Sequence, residues 1–232
     1  MSRNRFYRYI KTMKNNYTER IKTAVSKAIE CESNITDEIR MLEGCSSPKI
    51  RHLLNNLIKS GDRYLEVGCY KGSTSISSLY SKNVDDYFLI DNYSEFPSQL
   101  GPEGTKNAFL NNFTKIIGNT PKNFYNTDYK NIDTNQIQNI NVYLYDGHHS
   151  YNEHKSGITH FYKSFADEFI LCVDDWDTSG WGVREGTYDA ISELGLEILY
   201  KVELEKGSIV DSNFAHLDDK WWFGFAVFHL KK

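Results

Sequence analysis

The chain has 232 residues, of which 40% are hydrophobic and 14% aromatic, so it can bury the core of one full domain. Its net charge of −4 argues against a nucleic-acid partner, because neutralising phosphates requires a basic face. No apolar run is long enough to span a membrane, and none follows the basic first residues as in a secretory signal. Cys31, Cys45, Cys69 and Cys172 lack Cys-x-x-Cys spacing, so we expect no disulfide, no zinc site and a cytoplasmic location.

We expect residues 1–60 to form helices that precede the core, as an N-terminal extension or lid. Apolar residues recur there at helical spacing, namely Ile10, Met13, Tyr17, Ile21, Ala24 and Ala28. Ser46-Ser-Pro48 predicts a further helix start, because serine caps helices and proline fits the first turn. The inner face of that helix would carry Ile50, Leu53, Leu54 and Leu57.

Basic residues crowd the first segment, where Glu19 is the one acid: Arg3, Arg5, Arg8, Lys11, Lys14, Arg20, Lys22 and Lys27. Because these charges alternate with an apolar stripe, the pattern favours a solvated helix face at a lid or an oligomer contact. Contact with a membrane surface, an acidic partner or an anionic substrate is the alternative.

From Arg63 onward, strand-like and helical patterns alternate, which predicts βαβ units and a mostly parallel sheet with helices on both faces. The strand-like runs are 63–67, 86–90, 123–126, 141–145, 168–173, 196–203 and 221–230. No helical pattern separates the last two runs, so we expect them to pair as an antiparallel hairpin. The final run is so rich in aromatic residues that we expect it inside the sheet. The predicted fold is α/β and Rossmann-like, with seven strands and one main domain over 61–232.

The stretch Arg63-Tyr-Leu-Glu-Val-Gly-Cys-Tyr-Lys-Gly-Ser-Thr-Ser75 predicts a buried strand, a glycine loop and the start of a helix. A dinucleotide site would show Gly-x-Gly-x-x-Gly, whereas this loop has Gly68, Gly72 and a carboxylate at Glu66 that would repel a pyrophosphate. Asp91 ends the next strand-like run, roughly 20 residues on, at the spacing of a ribose-binding acid. Each feature alone also fits an ordinary strand-helix turn, but together they favour a cofactor site.

This pattern resembles motif I of the class I S-adenosylmethionine (SAM) methyltransferases, and the resemblance implies SAM as the cofactor. It assigns Asp91 to the ribose hydroxyls and Asp128, after the third strand, to the adenine amine. Gly68 would lie against the ligand, with no room for a side chain. The implied cofactor-binding residues are Glu66, Gly68, Tyr70, Gly72, Ser73, Asp91, Asn92, Asp128 and Asp146.

Three carboxylates follow the fourth and fifth predicted strands. Asp146 ends the run Val142-Tyr-Leu-Tyr-Asp146, and Asp174-Asp175 follows the run that ends at Val173. Neighbouring strands lie about 4.8 Å apart, so these carboxylates can converge on one ion, and oxygen ligands suit Mg²⁺ or Ca²⁺ better than zinc. Successive strand residues face opposite sides, so both acids of the pair can bind only if the chain has turned. Capping of the next helix by Asp174 is the alternative.

The segment Asp146-Gly-His-His-Ser-Tyr151 resembles the Asp-Gly-Asp-His-Ser-Tyr signature of metal-dependent small-molecule O-methyltransferases, which include the macrocin-type sugar enzymes. Asp174-Asp175-Trp176 resembles their Asp-Asp-aromatic motif, and the similarity covers Arg63 to Val183, about half of the chain. The resemblance implies that Asp146, Asp174 and Asp175 hold a divalent cation such as Mg²⁺ and that His149 is the general base. His148 stands where the family usually has an acid, and its role stays open.

The implied reaction is methylation of a hydroxyl on a sugar or a glycosylated small molecule, catalysed by His149 and Asp146. A catechol-like phenol acceptor and a non-catalytic SAM- or nucleotide-binding module are the alternatives, and the resemblance hints at a homo-oligomer. Further residues are candidates for the acceptor pocket, a lid or plain packing: Trp176, Trp181 and Arg184 after the acid pair, Tyr17, Tyr151, His154, His160 and Cys69.

Overall fold

A seven-stranded sheet organises the computed structural model, which describes residues 16–94, 100–206 and 220–232. The strands are β1 (Arg63–Val67), β2 (Asp86–Ile90), β3 (Phe124–Tyr125), β4 (Ile140–Tyr145), β5 (Phe165–Asp174), β6 (Glu197–Leu204) and β7 (Phe225–Lys231). Their order is β3-β2-β1-β4-β5-β7-β6, and β7 is antiparallel to both neighbours while the other pairs are parallel. The predicted fold class, the late hairpin and the internal position of the last strand are therefore confirmed.

The strand bounds differ from the prediction mainly at the end of the chain. The last strand begins at Phe225 instead of residue 221, because Gly224 adopts φ +93° and donates its N–H to the Trp221 carbonyl at 2.7 Å. A Cβ at Gly224 would press on Asp177, so the tight turn there requires glycine. The predicted third strand shortens to Phe124–Tyr125, and the fifth lengthens to Phe165–Asp174.

Helices cover both faces of the sheet. They are α1 (Tyr17–Ile29), α2 (Asp37–Arg40), α3 (Pro48–Leu57), α4 (Ser73–Leu79), α5 (Gly101–Ile117), α6 (Tyr151–His160) and α7 (Val183–Glu193). Alternate strand residues supply two separate cores: Tyr64 and Leu144 pack with the first five helices, and Leu65 and Tyr145 with α6 and α7. None of these helices, within the described ranges, has the length and apolar composition needed to cross a membrane.

The first helices join the core on one face of the sheet. On α1 the predicted stripe is buried at Tyr17, Ile21, Ala24 and Ala28, while Ile10 and Met13 lie outside the described residues. All four predicted inner residues of α3 are buried, and Ser47 accepts the N–H of Ile50 as the helix cap. Arg20 is not a solvated charge, because it pairs with Asp62 and donates to the Leu57 carbonyl. The division of the chain at residue 60 stays a prediction.

Arg51 holds the segment that leads from α2 to α3. Its guanidinium is fully buried and donates to the carbonyls of Ile39 (3.1 Å), Arg40 (2.9 Å) and Leu42 (2.7 Å). It also donates to the Ser46 hydroxyl at 3.0 Å. Burial lowers the pKa of Arg51 to about 10, so the group stays charged at neutral pH. This one side chain therefore fixes residues 39–46, which reach the mouth of the cavity described below.

Replacing Arg51 by Met should lower the free energy of unfolding by about 2–4 kcal/mol, because several carbonyls lose their donor at once. Urea denaturation of the variant and the wild type measures this difference. Lys49→Met on the same helix serves as the control and should change stability by less than about 0.5 kcal/mol. Equal denaturation midpoints for Arg51→Met and the wild type would contradict the role given to Arg51.

Candidate active site

A cavity of about 760 Å³ opens at the carboxyl ends of the parallel strands. Most of the predicted site residues line it, namely Gly68, Tyr70, Asp91, Asn92, Asp128, Asp146, His148, His149 and Asp175. Four others do not line it: Glu66 on β1, Gly72 and Ser73 at the start of α4, and Asp174 at the end of β5. The structure thus brings the two predicted constellations, the glycine loop and the acid cluster, into one space.

The glycine loop contains three residues with positive φ, namely Gly68, Tyr70 (φ +45°) and Gly72. Gly68 has φ +92°, and Gly72 has φ +93° at the start of α4. A Cβ on Gly68 would collide with the backbone of Asp146 and Gly147, so glycine is needed there to let β1 and β4 approach each other. The sequence-based reason, a lack of room against the ligand, is not the contact that the structure shows. A Cβ on Gly72 would press on the ring of Phe109 at 3.0 Å.

Asp91 ties the glycine loop to the end of β2. Its Oδ2 accepts the N–H groups of Cys69 (2.8 Å) and Tyr70 (2.7 Å), and its Oδ1 accepts that of Tyr93 (2.6 Å). Burial raises the pKa of Asp91, and the three N–H groups oppose that rise by stabilising the charged form. Asp91 therefore shapes the loop as well as facing the cavity. Cys69 is buried beside it, in agreement with a packing role.

Glu66 and Ser73 are turned away from the cavity. Glu66 is fully buried and accepts hydrogen bonds from the hydroxyl groups of Tyr64 (2.8 Å) and Thr74 (2.6 Å). Burial raises its pKa from 4.5 to about 7. Ser73 contacts the hydroxyl of Ser46 at 3.1 Å. In this structure both residues support the loop from below and do not present their side chains to a ligand.

Asp146, Asp174 and Asp175 converge at the ends of β4 and β5. One carboxylate oxygen from each lies within 4.8 Å of the others. Asp175 has φ +53°, and this left-handed turn directly after β5 lets both acids of the pair face one point. Asp174 does not cap a helix, because α7 begins at Val183 with Gly182 as its cap.

The three carboxylates have the chemistry of a site for a hard divalent cation. Burial and the charges of its two partners raise the pKa of Asp146 well above its usual range, and burial together with Asp175 does the same for Asp174. Burial raises the pKa of Asp175 to about 7. The Oδ1 atom of Asp174 is buried and has no hydrogen-bond partner among the described residues. An oxygen-coordinated cation would relieve both the repulsion and the unpaired oxygen.

His149 lies between the acid cluster and an aromatic wall. Its Nδ1 is 3.0 Å from Oδ2 of Asp175, and its ring stacks on Trp181 with centroids 5.1 Å apart and planes 19° apart. Burial, followed by the charge of His148, lowers the pKa of His149 to about 4, so the imidazole is neutral at pH 7. His148 is exposed, and its Nδ1 accepts the N–H of Ser150 at 3.2 Å.

Of the three candidates after the acid pair, only Trp181 lines the cavity. Trp176 is buried and donates its ring N–H to Glu203 at 3.0 Å. Arg184 lies over the Trp176 ring and pairs with Asp177 at 3.1 Å. Trp176 and Arg184 therefore hold the chain after β5 in place and do not offer groups to a ligand.

The remaining candidates also have structural surroundings. Tyr17 lies near the amino end of β4, opposite the cavity, where its hydroxyl accepts a hydrogen bond from the side-chain amide of Asn141. Tyr151 donates to Asp189 on α7, away from the cavity. His154 is buried with its ring edge-on to Tyr145, and His160 lies edge-on to Tyr129.

Sequence reasoning missed several residues that line the cavity: Glu43, Cys45, Lys130, Glu153, Trp222 and Phe223. Glu43 and Cys45 precede β1 in the chain and reach the site because Arg51 holds their segment there and Lys71 pairs with Glu43. Trp222 and Phe223 were assigned to a strand, although Gly224 behind them was a visible turn signal. Lys130 and Glu153 form an ion pair at 2.5 Å that links the loop after β3 to α6.

No protein-family model matches the sequence, and no curated protein sequence matches it. Solved structures do resemble it. SMU.776, described as a methyltransferase and solved with SAH, gives a TM-score of 0.54 at 11% identity over 80% of this chain and 49% of its own. PH1948 from Pyrococcus horikoshii, described as an RNA methyltransferase, gives 0.53 at 9% identity over 94% and 98% of the two chains. The cyclopropane synthase MmaA2 from Mycobacterium tuberculosis gives 0.51 at 11% identity over 89% and 98%.

The chain has the Rossmann-like methyltransferase fold. It spans about half the length of SMU.776. At identities of 9–11%, these likenesses establish the fold and leave the reaction, the acceptor and the metal to be argued from the residues of this chain.

The acid cluster should make stability depend on divalent cations. With MgCl₂ well above its Kd, Tm should rise by roughly 3–10 °C relative to EDTA, because the ion binds only the folded site. Asp175→Asn should raise Tm in EDTA, since one repelling charge is lost, and should abolish most of the response to Mg²⁺. Asp167→Asn, at the exposed far end of β5, is the control. Thermal scans with no response to Mg²⁺, Mn²⁺ or Ca²⁺ would exclude a cation site.

Glu66→Gln should change how the free energy of unfolding depends on pH and should leave SAH affinity nearly unchanged. The raised pKa means that folded Glu66 keeps a proton that the unfolded chain releases, so its contribution is full below pH 4.5 and is lost as pH rises through about 7. The free energy of unfolding of the variant, taken relative to that of the wild type, should therefore rise by roughly 2–3 kcal/mol between pH 5 and pH 8. Urea denaturation at both pH values and calorimetric titration with SAH measure the two effects. A large loss of SAH affinity with unchanged pH dependence would return Glu66 to the cofactor site.

Proposed function

We propose that the protein is a SAM-dependent O-methyltransferase that uses a divalent cation and methylates a hydroxyl of a sugar or a glycosylated small molecule. One observation carries this proposal: the glycine loop with Asp91 and the carboxylate cluster with His149 face the same cavity. The fold, shared with a methyltransferase solved with SAH, supports SAM as the donor. A catechol-like phenol, which presents its hydroxyls much as a vicinal diol does, is the alternative acceptor.

The glycine-loop side of the cavity would hold SAM. Gly68 keeps the backbone of the loop close to the floor of the cavity, and Asp91 fixes the loop from the neighbouring strand. The fourth lone-pair direction of the Asp91 carboxylate remains for a ribose hydroxyl, since a carboxylate accepts about four hydrogen bonds and three are made within the chain. Asp128 also faces the cavity, on the side proposed for the adenine.

Methyl transfer forms a bond from the acceptor oxygen to the methyl carbon as the carbon–sulfur bond breaks, and the hydroxyl proton passes to a base. The donor is already activated, so the protein must align the reactants and improve the nucleophile. Asp146, Asp174 and Asp175 would hold Mg²⁺ or a similar ion, which when bound stabilises negative charge on the acceptor oxygen.

His149 is suited to accept the proton. Its Nδ1 faces the Asp175 carboxylate, which favours the tautomer with hydrogen on Nδ1 and leaves the lone pair on Nε2. The low pKa keeps the imidazole unprotonated at neutral pH. Trp181 packs against one face of the ring, so the imidazole cannot rotate freely. Orientation, tautomer and charge state therefore all agree with a general base.

Removing the base or the metal should affect catalysis and cofactor binding differently. With labelled SAM and a panel of glycans and phenols, His149→Ala should lower kcat by about 10²–10⁴-fold and leave SAH affinity within about threefold. EDTA should stop turnover and also leave SAH binding largely intact, because the cofactor rests on other strands. His148→Ala is the matched control and should retain most activity.

Three results would contradict the proposal. Full activity in EDTA would remove the metal from the reaction. Normal turnover of His149→Ala together with loss in His148→Ala would reassign the base. Failure of SAH to bind the wild-type protein would remove the methyltransferase function itself.

A further inference from the structure

An aromatic wall borders the acid cluster at the mouth of the cavity. Trp181 is 44% exposed, stacks on His149 with one face, and lies 6.3 Å from the Phe223 ring at an angle of 41°. The chain from 221 to 224 is fixed against the segment after β5, since Asp177 donates its N–H to the Phe223 carbonyl at 2.8 Å. We call Trp181 and Phe223 the aromatic platform. It is a preformed apolar surface beside His149.

The charges around the cavity have almost all one sign. Among the described residues, six carboxylates line it: Glu43, Asp91, Asp128, Asp146, Glu153 and Asp175. Lys130 is the one lysine or arginine in that lining, and its ammonium is paired with Glu153 at 2.5 Å.

The cavity keeps an excess of negative charge even after a divalent cation and SAM have bound. Glu43 is also paired, with the ammonium of Lys71, so when all groups are ionised four of the six lining carboxylates carry a charge that no side chain offsets. A divalent cation offsets two of these charges and SAM, with one net positive charge, a third. A cleft with walls of one sign concentrates ligands of the opposite sign and repels those of its own. A phosphate or carboxylate on the acceptor would therefore meet repulsion and find no free cationic side chain in the described lining.

We infer that the acceptor is a hydroxylated ring that is neutral or carries an amine, held against the aromatic platform of Trp181 and Phe223, and that phosphorylated or carboxylated acceptors are rejected. This inference rests on the proposed function and narrows its substrate class. A ring face packs on indole and phenyl surfaces while its hydroxyls point toward Asp175 and His149. An RNA acceptor is excluded on the same grounds.

Binding of four small probes tests the inference without relying on turnover. The probes are methyl glucoside, glucosamine, glucose 6-phosphate and glucuronate. Saturation-transfer NMR measures the binding of each probe to the full chain in the presence of Mg²⁺ and SAH. The first two should bind at least about tenfold more tightly than the two anions. Trp181→Ala and Phe223→Ala should each weaken that binding about fivefold or more, and Trp181→Phe should restore most of it. Glu43→Gln removes one lining carboxylate and the charged partner of the Lys71 ammonium, so it should narrow the difference in affinity between the neutral and the anionic probes.

Kinetics with a productive acceptor add a second readout. Phe223→Ala should raise KM with little change in kcat, whereas Trp181→Ala should also lower kcat because His149 loses its stacking partner. Equal or tighter binding of the anionic probes would overturn the inference, as would binding of no probe at about 10 mM, or binding unaffected by both alanine variants. A separate titration with SAH tests the proposed function, so that its failure is distinguishable from failure of the acceptor assignment.

Discussion

The ends of β1 and β4 lie in direct backbone contact, and the cavity depends on that contact. Asp146 donates its N–H to the Val67 carbonyl at 2.9 Å, and Gly68 donates its N–H to the Ile90 carbonyl at 2.9 Å. These two hydrogen bonds align the carboxyl ends of β1, β2 and β4. Any side chain at Gly68 would separate β1 from β4. Because one strand leads into the glycine loop and the other ends in Asp146, that single contact sets the distance between the two functional halves of the site.

Buried acids near this contact are stabilised in three different ways. Asp91 accepts three backbone N–H groups, which stabilise its charged form against the effect of burial. Glu66 accepts two hydroxyls and holds a proton up to about pH 7. The Asp146, Asp174 and Asp175 cluster has neither solution in full, since Asp174 keeps a buried oxygen without a partner among the described residues. The unfavourable free energy of burying charged carboxylates is thus least compensated at the Asp146, Asp174 and Asp175 cluster, where we propose that the reaction takes place.

Local patterns in the sequence were sufficient for the sheet and for much of the site. Strand periodicity located β1 and β2 to the residue, and the order of acids after strands placed Asp91, Asp146 and Asp175 at one edge, because parallel strands end on the same side. Contacts between distant segments were not predictable in this way. Glu43 reaches the cavity through the packing of Arg51 and an ion pair with Lys71. Glu66 turns inward because Tyr64 and Thr74 offer hydroxyls that no motif specifies.

The placement of β7 between β5 and β6 has a consequence for how the molecule is made. During synthesis, β5 leaves the ribosome with one edge unpaired, and β6 has no partner in the sheet until residues 225–231 follow. Phe225 pairs with Asp174, so the strand that closes this edge also fixes the end of β5 that carries the acid cluster. Until residues 225–231 pair with it, this edge of β5 exposes backbone N–H and C=O groups with which the strand of another chain can pair.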